Sequence, residues 1–158
     1  MGGGATGVSV FFKKHLIFAD SVRMGGDYVT SDISMGLQIP TAAAERMKTL
    51  YGGAMATGMD DREMIETEGS SGDWEHDRRQ VSRSELIGII RPRMEEILED
   101  VRDRLDAAGF DDLPGKQIVL TGGASQIPGL DGLAARILGQ HVRLGRPVRV
   151  QGLPQAAT

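Results

Sequence analysis

The sequence predicts a mixed fold, α/β or α+β by its order of elements, and three stretches carry that prediction. Ile118-Val119-Leu120 is a short apolar run rich in β-branched residues, the pattern of a strand buried on both faces, and Gly122-Gly123 ends it. Pro128-Gly129 then leads into Leu130, Leu133, Ile137 and Leu138, spaced as one face of a short helix that Gly139 closes. Between Ser82 and Gly109 lies the longest amphipathic stripe of the chain. A strand, a double glycine and a helix in succession bring bare backbone N–H groups up to a ligand at the end of a sheet. The same double glycine also serves as a plain tight turn.

In chain order, Val8 to Phe12 alternates and then turns apolar, Lys13-Lys14 makes a turn, and His15 to Ala19 returns as the second strand of a hairpin. Ser21 to Met24 is expected to form a third strand, ended by Gly25-Gly26. Thr30 or Ser31 is expected to cap a short helix through Ile33, Met35 and Leu37. Pro40-Thr41 opens another helix, from Ala42 to Tyr51, with Gly52-Gly53 as its stop. From Ala54 to Arg79 the pattern fades, and short strands are expected around Met64–Thr67 and Trp74–His76. Ser82 with Glu85 three residues on makes a capping box. Leu86, Ile89, Ile90, Met94, Ile97, Leu98, Val101 and Leu105 then share one helical face, opposite a solvated face of Glu95, Glu96, Glu99, Arg102, Asp103 and Asp106. Pro92 removes one backbone donor inside the stripe, so a kink there or a break after Arg91 is expected. Val142–Leu144 and Val148–Val150 read as closing strands.

Composition narrows the function classes. The 158 residues amount to one domain with enough length for a real core. Without cysteine there is neither a disulfide framework nor a thiolate metal site, and the three scattered histidines form no ligand pair. The net charge of −4 argues against a general nucleic-acid binder, although arginines cluster between Arg78 and Arg93. No apolar stretch approaches the ~20 residues of a membrane span, and the N-terminus is no signal peptide. A soluble, cytoplasmic protein is the simplest expectation. The glycine triplet has no strand in front of it and Gln155-Ala-Ala-Thr158 closes no element, so a piece of a longer protein is expected.

The chemistry concentrates in a few segments. Gly2, Gly3 and Gly4 remove three successive Cβ atoms, so amide N–H groups can close on an anion, and the Thr6 hydroxyl can add a donor. A phosphate cradle and a flexible linker both fit these residues. Glu45 and Lys48 share a helix face at i and i+3, either as a ligand-facing carboxylate and ammonium or as a surface ion pair. Arg91 and Arg93 can grip a carboxylate, or can merely balance Glu95 and Glu96.

Taken together, these segments resemble a known superfamily. Gly-Gly-Gly-x-Thr before a hairpin is similar to the second phosphate loop of the actin, hexokinase and Hsp70 superfamily, and Val119-Leu-Thr-Gly-Gly-Ala-Ser125 to its adenosine motif. Ala44-Glu-Arg-Met-Lys48 resembles the helix whose Glu and Lys face adenosine. Gly25-Gly-Asp-Tyr-Val-Thr-Ser-Asp-Ile33, Tyr51-Gly-Gly, Ile90-Arg-Pro-Arg-Met-Glu-Glu-Ile97 and Ile118 to Leu130 resemble one family within it: FtsA, the actin-like bacterial cell-division proteins that link the FtsZ ring to the inner membrane. The resemblance runs over nearly the whole chain.

The resemblance implies an α/β, actin-like (ribonuclease H-like) second lobe, with residues 1–26 and 94–158 as a large subdomain and 27–93 as an inserted, smaller α+β subdomain. It implies ATP with Mg2+ as ligand, held by Gly2, Gly3, Gly4, Ala5, Thr6, Gly26, Asp27, Glu45, Lys48, Gly122, Gly123 and Ala124. It implies the FtsZ C-terminal tail as partner, with Arg93 at the tail-binding position, Arg91 nearby, and Arg93→Glu expected to weaken the tail while sparing the fold. Self-association into filaments, later division proteins, no nucleic acid, and a place on the cytoplasmic face of the inner membrane at the division site follow from the same likeness. The family's first phosphate loop, its extra subdomain, its amphipathic membrane helix and the Asp ahead of the glycine triplet have no counterpart here. Weak ATP affinity and no hydrolysis are therefore expected of these residues alone, and membrane attachment only through a segment they lack. A sugar kinase or an Hsp70 relative is the alternative; for the first no convincing general base is found, and the second needs a peptide-binding domain.

Overall fold

A computed structural model describes residues 1–71, 76–110, 117–139 and 141–145. The chain opens with an antiparallel hairpin, β1 (Thr6–Phe12) and β2 (His15–Val22), turned by Lys13 and Lys14 at φ 47° and 68°. A two-residue loop with both residues left-handed matches the twist of the strands it joins. The register slips between Val10 and Phe11, and Ser21-Val22 continue β2 instead of starting the expected third strand, because Thr6 and Gly7 extend β1 far enough to pair with them. Val8 and Val22 pack on Val101, and Phe18 meets Phe110 with ring centroids 5.3 Å apart.

Two short helices follow. Helix α1 (Gly26–Leu37) begins four residues before the expected cap: Gly25 is its N-cap, and Thr30 lies inside it, buried with Val29, Ile33 and Leu37. A threonine inside a helix can bond back to the carbonyl one turn earlier, and the Thr30 hydroxyl oxygen lies 3.1 Å from Gly26 O. Helix α2 (Thr41–Tyr51) runs as expected and ends where the Gly52 N–H reaches Lys48 O at 3.1 Å. Its buried face is Ala43, Ala44 and Met47. Strands β3 (Met64–Glu68) and β4 (Arg78–Ser82) then pair antiparallel, with Ile65 opposite Val81, both in the core. The second strand thus lies beyond the expected Trp74–His76; His76 is in a turn, and Trp74 falls outside the described residues.

Helix α3 (Arg83–Ala107) is the spine of the fold. The Ser82 hydroxyl accepts from Glu85 N at 3.1 Å, which satisfies one of the free N–H groups of the first turn. Leu86, Ile87, Ile90, Met94, Ile97, Leu98 and Val101 are buried; Ile87 joins the expected stripe, whereas Ile89 and Leu105 are only half-covered. The helix is not broken at Pro92. The carbonyl that Pro92 leaves without a donor is that of Gly88, and both residues are exposed, so water can take the missing bond.

The last unit is parallel: β5 (Gln117–Leu120), α4 (Leu130–Leu138) and β6 (His141–Leu144), with Ile118 beside Val142. Gly129 at φ 80° and Gly139 at φ 64° bracket α4 as expected. The strand is not buried on both faces: Leu120 is inside, while Val119 is 43% exposed. Ile118 and Leu120 face the core and Val119 the other side, and among the described residues β5 pairs with β6 alone. The expected strand Val148–Val150 lies outside the described residues. One apolar core joins Val29 and Ile33 of α1, Ile90, Met94, Ile97 and Leu98 of α3, Leu120, and Leu130 and Leu133 of α4.

Candidate functional site

The N-terminal glycine turn and the glycine turn after β5 meet. The N–H groups of Gly26 and Asp27 donate to Gly2 O and Gly3 O at 2.9 and 3.0 Å, which seats the glycine turn on the first turn of α1. Ala124 N donates to Met1 O at 3.2 Å, which brings the turn after β5 against the same segment. Glycine is demanded by this crowding. A Cβ at Gly25 would collide with the carbonyl oxygens of Gly2 and Gly3, and one at Gly122, which sits at φ 96°, would lie 2.5 Å from Met1 O.

The first N–H groups of α1 are therefore taken by the turn itself. Those of Gly3, Gly4 and Ala5 make no hydrogen bond to the described residues, and Gly2 to Ala5 are exposed apart from the Gly2–Ala5 bond that closes the turn at 3.0 Å. Three amides without a partner among the described residues, in an exposed turn, are donors of the kind an anion can take. The Thr6 hydroxyl is not the extra donor expected: Thr6 is buried and donates to Met24 O at 2.9 Å. Asp27, exposed, rests its carboxylate where a Gly3 side chain would be, at 2.6 Å from a Cβ there.

Beside this turn stands the pair from α2. Lys48 Nζ is 2.6 Å from Glu45 Oε2, 2.8 Å from Thr30 Oγ1 and 3.1 Å from Gly26 O. The Thr30 hydroxyl donates to the same Glu45 oxygen at 2.5 Å. The Lys48 side chain is 11% exposed and that of Glu45 52%, so the ammonium is inside and the carboxylate at the rim. Partial burial pushes the Glu45 carboxyl up, but the bonds from Lys48 and Thr30 outweigh it and hold the group below the ordinary glutamate range. A Cβ on Gly26 would lie 3.4 Å from Ala124 Cβ and 3.5 Å from Lys48 Nζ. Thus Gly2, Gly3, Gly26, Asp27, Glu45, Lys48, Gly122 and Ala124 form one neighbourhood; Gly4, Ala5 and Gly123 continue its exposed edges. Thr30, which sequence reasoning took for a helix cap, is the member it missed.

The arginines of α3 sit apart from this cluster and from each other. Arg91 Nε pairs with Glu95 at 2.7 Å along the helix. Arg93 grips Asp32 of α1 with Nε at 2.6 Å and Nη2 at 3.0 Å, and Nη1 bonds Glu96 at 2.6 Å. Its guanidinium also lies 5.8 Å from the Tyr28 ring centroid. The bidentate carboxylate grip expected of Arg93 exists, filled by a residue of the same chain, and the hydrogen bonds to Asp32 raise the arginine's already high pKa. Replacing it by glutamate would set three carboxylates together, so Arg93→Glu would not leave the fold untouched. Asp60 was also missed: it is buried, accepts from Thr57 N and from Arg83 Nη1 at 2.9 Å, and fastens the loop after α2 to the start of α3.

The family model for cell division protein FtsA matches residues 1–158. Cell division protein FtsA of Agrobacterium fabrum is 46% identical over 157 residues, 99% of this chain and 35% of that protein. FtsA of Rhizobium meliloti is 45% identical over 157 residues, 99% of this chain and 36% of that one. The chain thus spans about a third of the length of the curated relatives it matches. Among solved structures, MreB 5 of Spiroplasma citri bound to AMPPNP superposes with a TM-score of 0.72 at 20% identity, covering 91% of this chain and 46% of that one. That likeness shows the fold to be actin-like.

Proposed function

The chain belongs to the FtsA family of cell division proteins, and from that premise we propose that it is the nucleotide-binding second lobe of a division-ring adaptor. In this reading ATP binds across the edge where the glycine turn, the start of α1, Glu45 and the turn after β5 converge. The convergence of the N-terminal glycine turn and the turn after β5 on the start of α1 is the observation that carries it. The amides of Gly3, Gly4 and Ala5 meet phosphate oxygens, and Glu45 accepts from ribose hydroxyls. The exposed Asp27 carboxylate beside Gly3 opposes a bare anion and favours a triphosphate that carries its own divalent cation, Mg2+ in the cell. MreB 5 was crystallised with AMPPNP and with ADP, in keeping with a nucleotide in this fold.

The product of such a protein is an assembly rather than a chemical step. Residues 1–26 and 94–158 act as the large subdomain and 27–93 as the smaller one, with α3 running through both. The smaller one takes the FtsZ C-terminal tail at Arg93, a tail carboxylate replacing Asp32 in its grip, and nucleotide favours filament contacts in the full-length protein. Later division proteins and the cytoplasmic face of the inner membrane complete the setting; among the described residues no helix is long and apolar enough to cross a membrane.

Gly123→Val tests the nucleotide reading with little risk to the fold, since nothing lies within 4 Å of a Cβ at Gly123. Equilibrium binding of a fluorescent ATP analogue to the full-length protein is expected to fall at least tenfold in the variant with its melting temperature kept. Equal affinity in the two proteins removes the turn after β5 from the site.

A further inference from the structure

We infer that Thr30 is a positioning residue of the nucleotide site: its buried hydroxyl holds the Glu45 carboxylate toward the ribose hydroxyls, and Lys48 fastens this arrangement from inside. The inference rests on the nucleotide reading above. It departs from the expectation that Glu45 and Lys48 face the ligand as equals.

Counting protons decides the roles. An ammonium has three donors and no acceptor. Lys48 has three acceptors in reach, Glu45 Oε2, Thr30 Oγ1 and Gly26 O, and its side chain is 11% exposed. A hydroxyl has one proton and two lone pairs. Thr30 Oγ1 lies 2.5 Å from Glu45 Oε2 against 3.1 Å from Gly26 O, so its proton goes to the carboxylate and a lone pair takes Lys48. The Thr30 hydrogen bond and the Lys48 ion pair both fall on Oε2, which holds that oxygen and leaves Oε1 to neither of them. A neighbouring pair of hydroxyls, as on a ribose, is the donor group that such an oxygen accepts.

Gly26 ties the two ends of the site. Gly26 O receives Lys48, while Gly26 N donates to Gly2 O in the glycine turn. The distance from the ribose end to the phosphate end is therefore set through one residue of α1. Valine in place of Thr30 keeps the branched shape inside the helix but strips Lys48 of one acceptor and Glu45 of one donor.

The test uses the full-length protein and four probes: ATP, 2′-deoxy-ATP, 3′-deoxy-ATP and adenosine-free inorganic triphosphate, each with Mg2+, titrated against wild type, Thr30→Val and Thr30→Ser. Wild type is expected to favour ATP over at least one deoxy analogue by about tenfold, the size of one hydrogen bond to a charged acceptor. Thr30→Val is expected to lower ATP affinity about fivefold to tenfold and bring that ratio toward one, with triphosphate unchanged; Thr30→Ser restores the ratio. A residue that merely supports the helix would weaken all adenosine ligands in parallel. A Thr30→Val protein with the wild-type ratio, or a Thr30→Ser protein without it, overturns the assignment. Should the valine variant not fold, Thr30→Cys, which replaces the hydroxyl of the Thr30→Ser variant by a poor donor, reads the same ratio and decides in the same way. A wild type that binds no ATP refutes the nucleotide reading itself, a separate outcome from an unchanged ratio.

Discussion

If the FtsZ tail docks at Arg93, a ligand carboxylate has to compete with Asp32, and removing that competitor should tighten binding. The internal pair is bidentate, with side chains 25% and 20% exposed, so it lies between a wet surface bridge and a buried one. Exposed pairs contribute under about 1 kcal/mol and hydrogen bonds to charged groups about 1.5–3 kcal/mol; about 1.4 kcal/mol is a fair middle value, equal to about tenfold in affinity. Asp32→Asn keeps the shape of the side chain, turns one acceptor into a donor facing the guanidinium, and leaves the Arg93–Glu96 bond in place. Fluorescence anisotropy of a labelled FtsZ C-terminal tail peptide against the full-length protein, at fixed salt, is the assay. The asparagine variant should bind up to about tenfold more tightly, and Arg93→Gln should lose most of the binding. Unchanged affinity in Asp32→Asn would mean that the peptide never meets the bidentate edge of Arg93. Weaker binding would mean that Asp32 orients the arginine instead of competing for it. Either result sinks the displacement argument.

Two further outcomes concern stability. Ser82→Ala removes the acceptor for Glu85 N and should cost about 1 kcal/mol, read as a lower urea midpoint with an unchanged slope. Four carboxyls are held below their ordinary range: Asp20 by the hydrogen bond from Arg104, Glu45 by Lys48 and Thr30 against partial burial, Asp60 by the Thr57 amide, and Asp77 by the Ser71 amide. Depressed carboxylate values add stability above the unfolded pKa of about 4, and it is lost as pH falls through the folded values. The urea midpoint should therefore be flat near neutrality and decline below about pH 5, with a shallower decline in Asp60→Asn.

Most of the architecture follows from local chemistry that a sequence displays. The hairpin, α2, the capped start of α3 and the glycine-bracketed α4 all depend on residues within a turn or two of each other. What sequence misses depends on residues far apart. Thr30 looked like a cap because threonine before an apolar run usually is one, yet the helix starts earlier, because Gly25 is the one residue that fits beneath the carbonyls of Gly2 and Gly3. Val119 looked buried because a β-branched run between apolar neighbours fits a strand covered on both sides, but coverage belongs to the surrounding elements and not to the strand. Of the site, the glycines and the Glu45–Lys48 pair were legible by residue type and spacing. The bonds that divide labour among them were not, since Asp32 with Arg93 and Thr30 with Glu45 are joined only by the packing of α1 on α3 and on α2.

The glycine triplet shows the same division of labour, and it can be separated by experiment. Gly2 contributes a carbonyl to α1, and Gly3 contributes both a carbonyl and the space that Asp27 fills. Gly4 contributes neither: a Cβ there meets nothing within 4 Å, and its N–H has no partner among the described residues. If the turn receives phosphate, the N–H is the working part of Gly4. Gly4→Ala keeps that donor and adds a methyl in open space, so ATP affinity in the full-length protein should stay within about twofold. Gly4→Pro deletes the donor, and the loss of a hydrogen bond to a charged phosphate, about 1.5–3 kcal/mol, should weaken ATP by about tenfold or more while leaving adenosine unchanged. Parallel losses for ATP and adenosine would trace to a distorted turn. Equal ATP affinity in the alanine and proline variants would take phosphate away from Gly4 altogether.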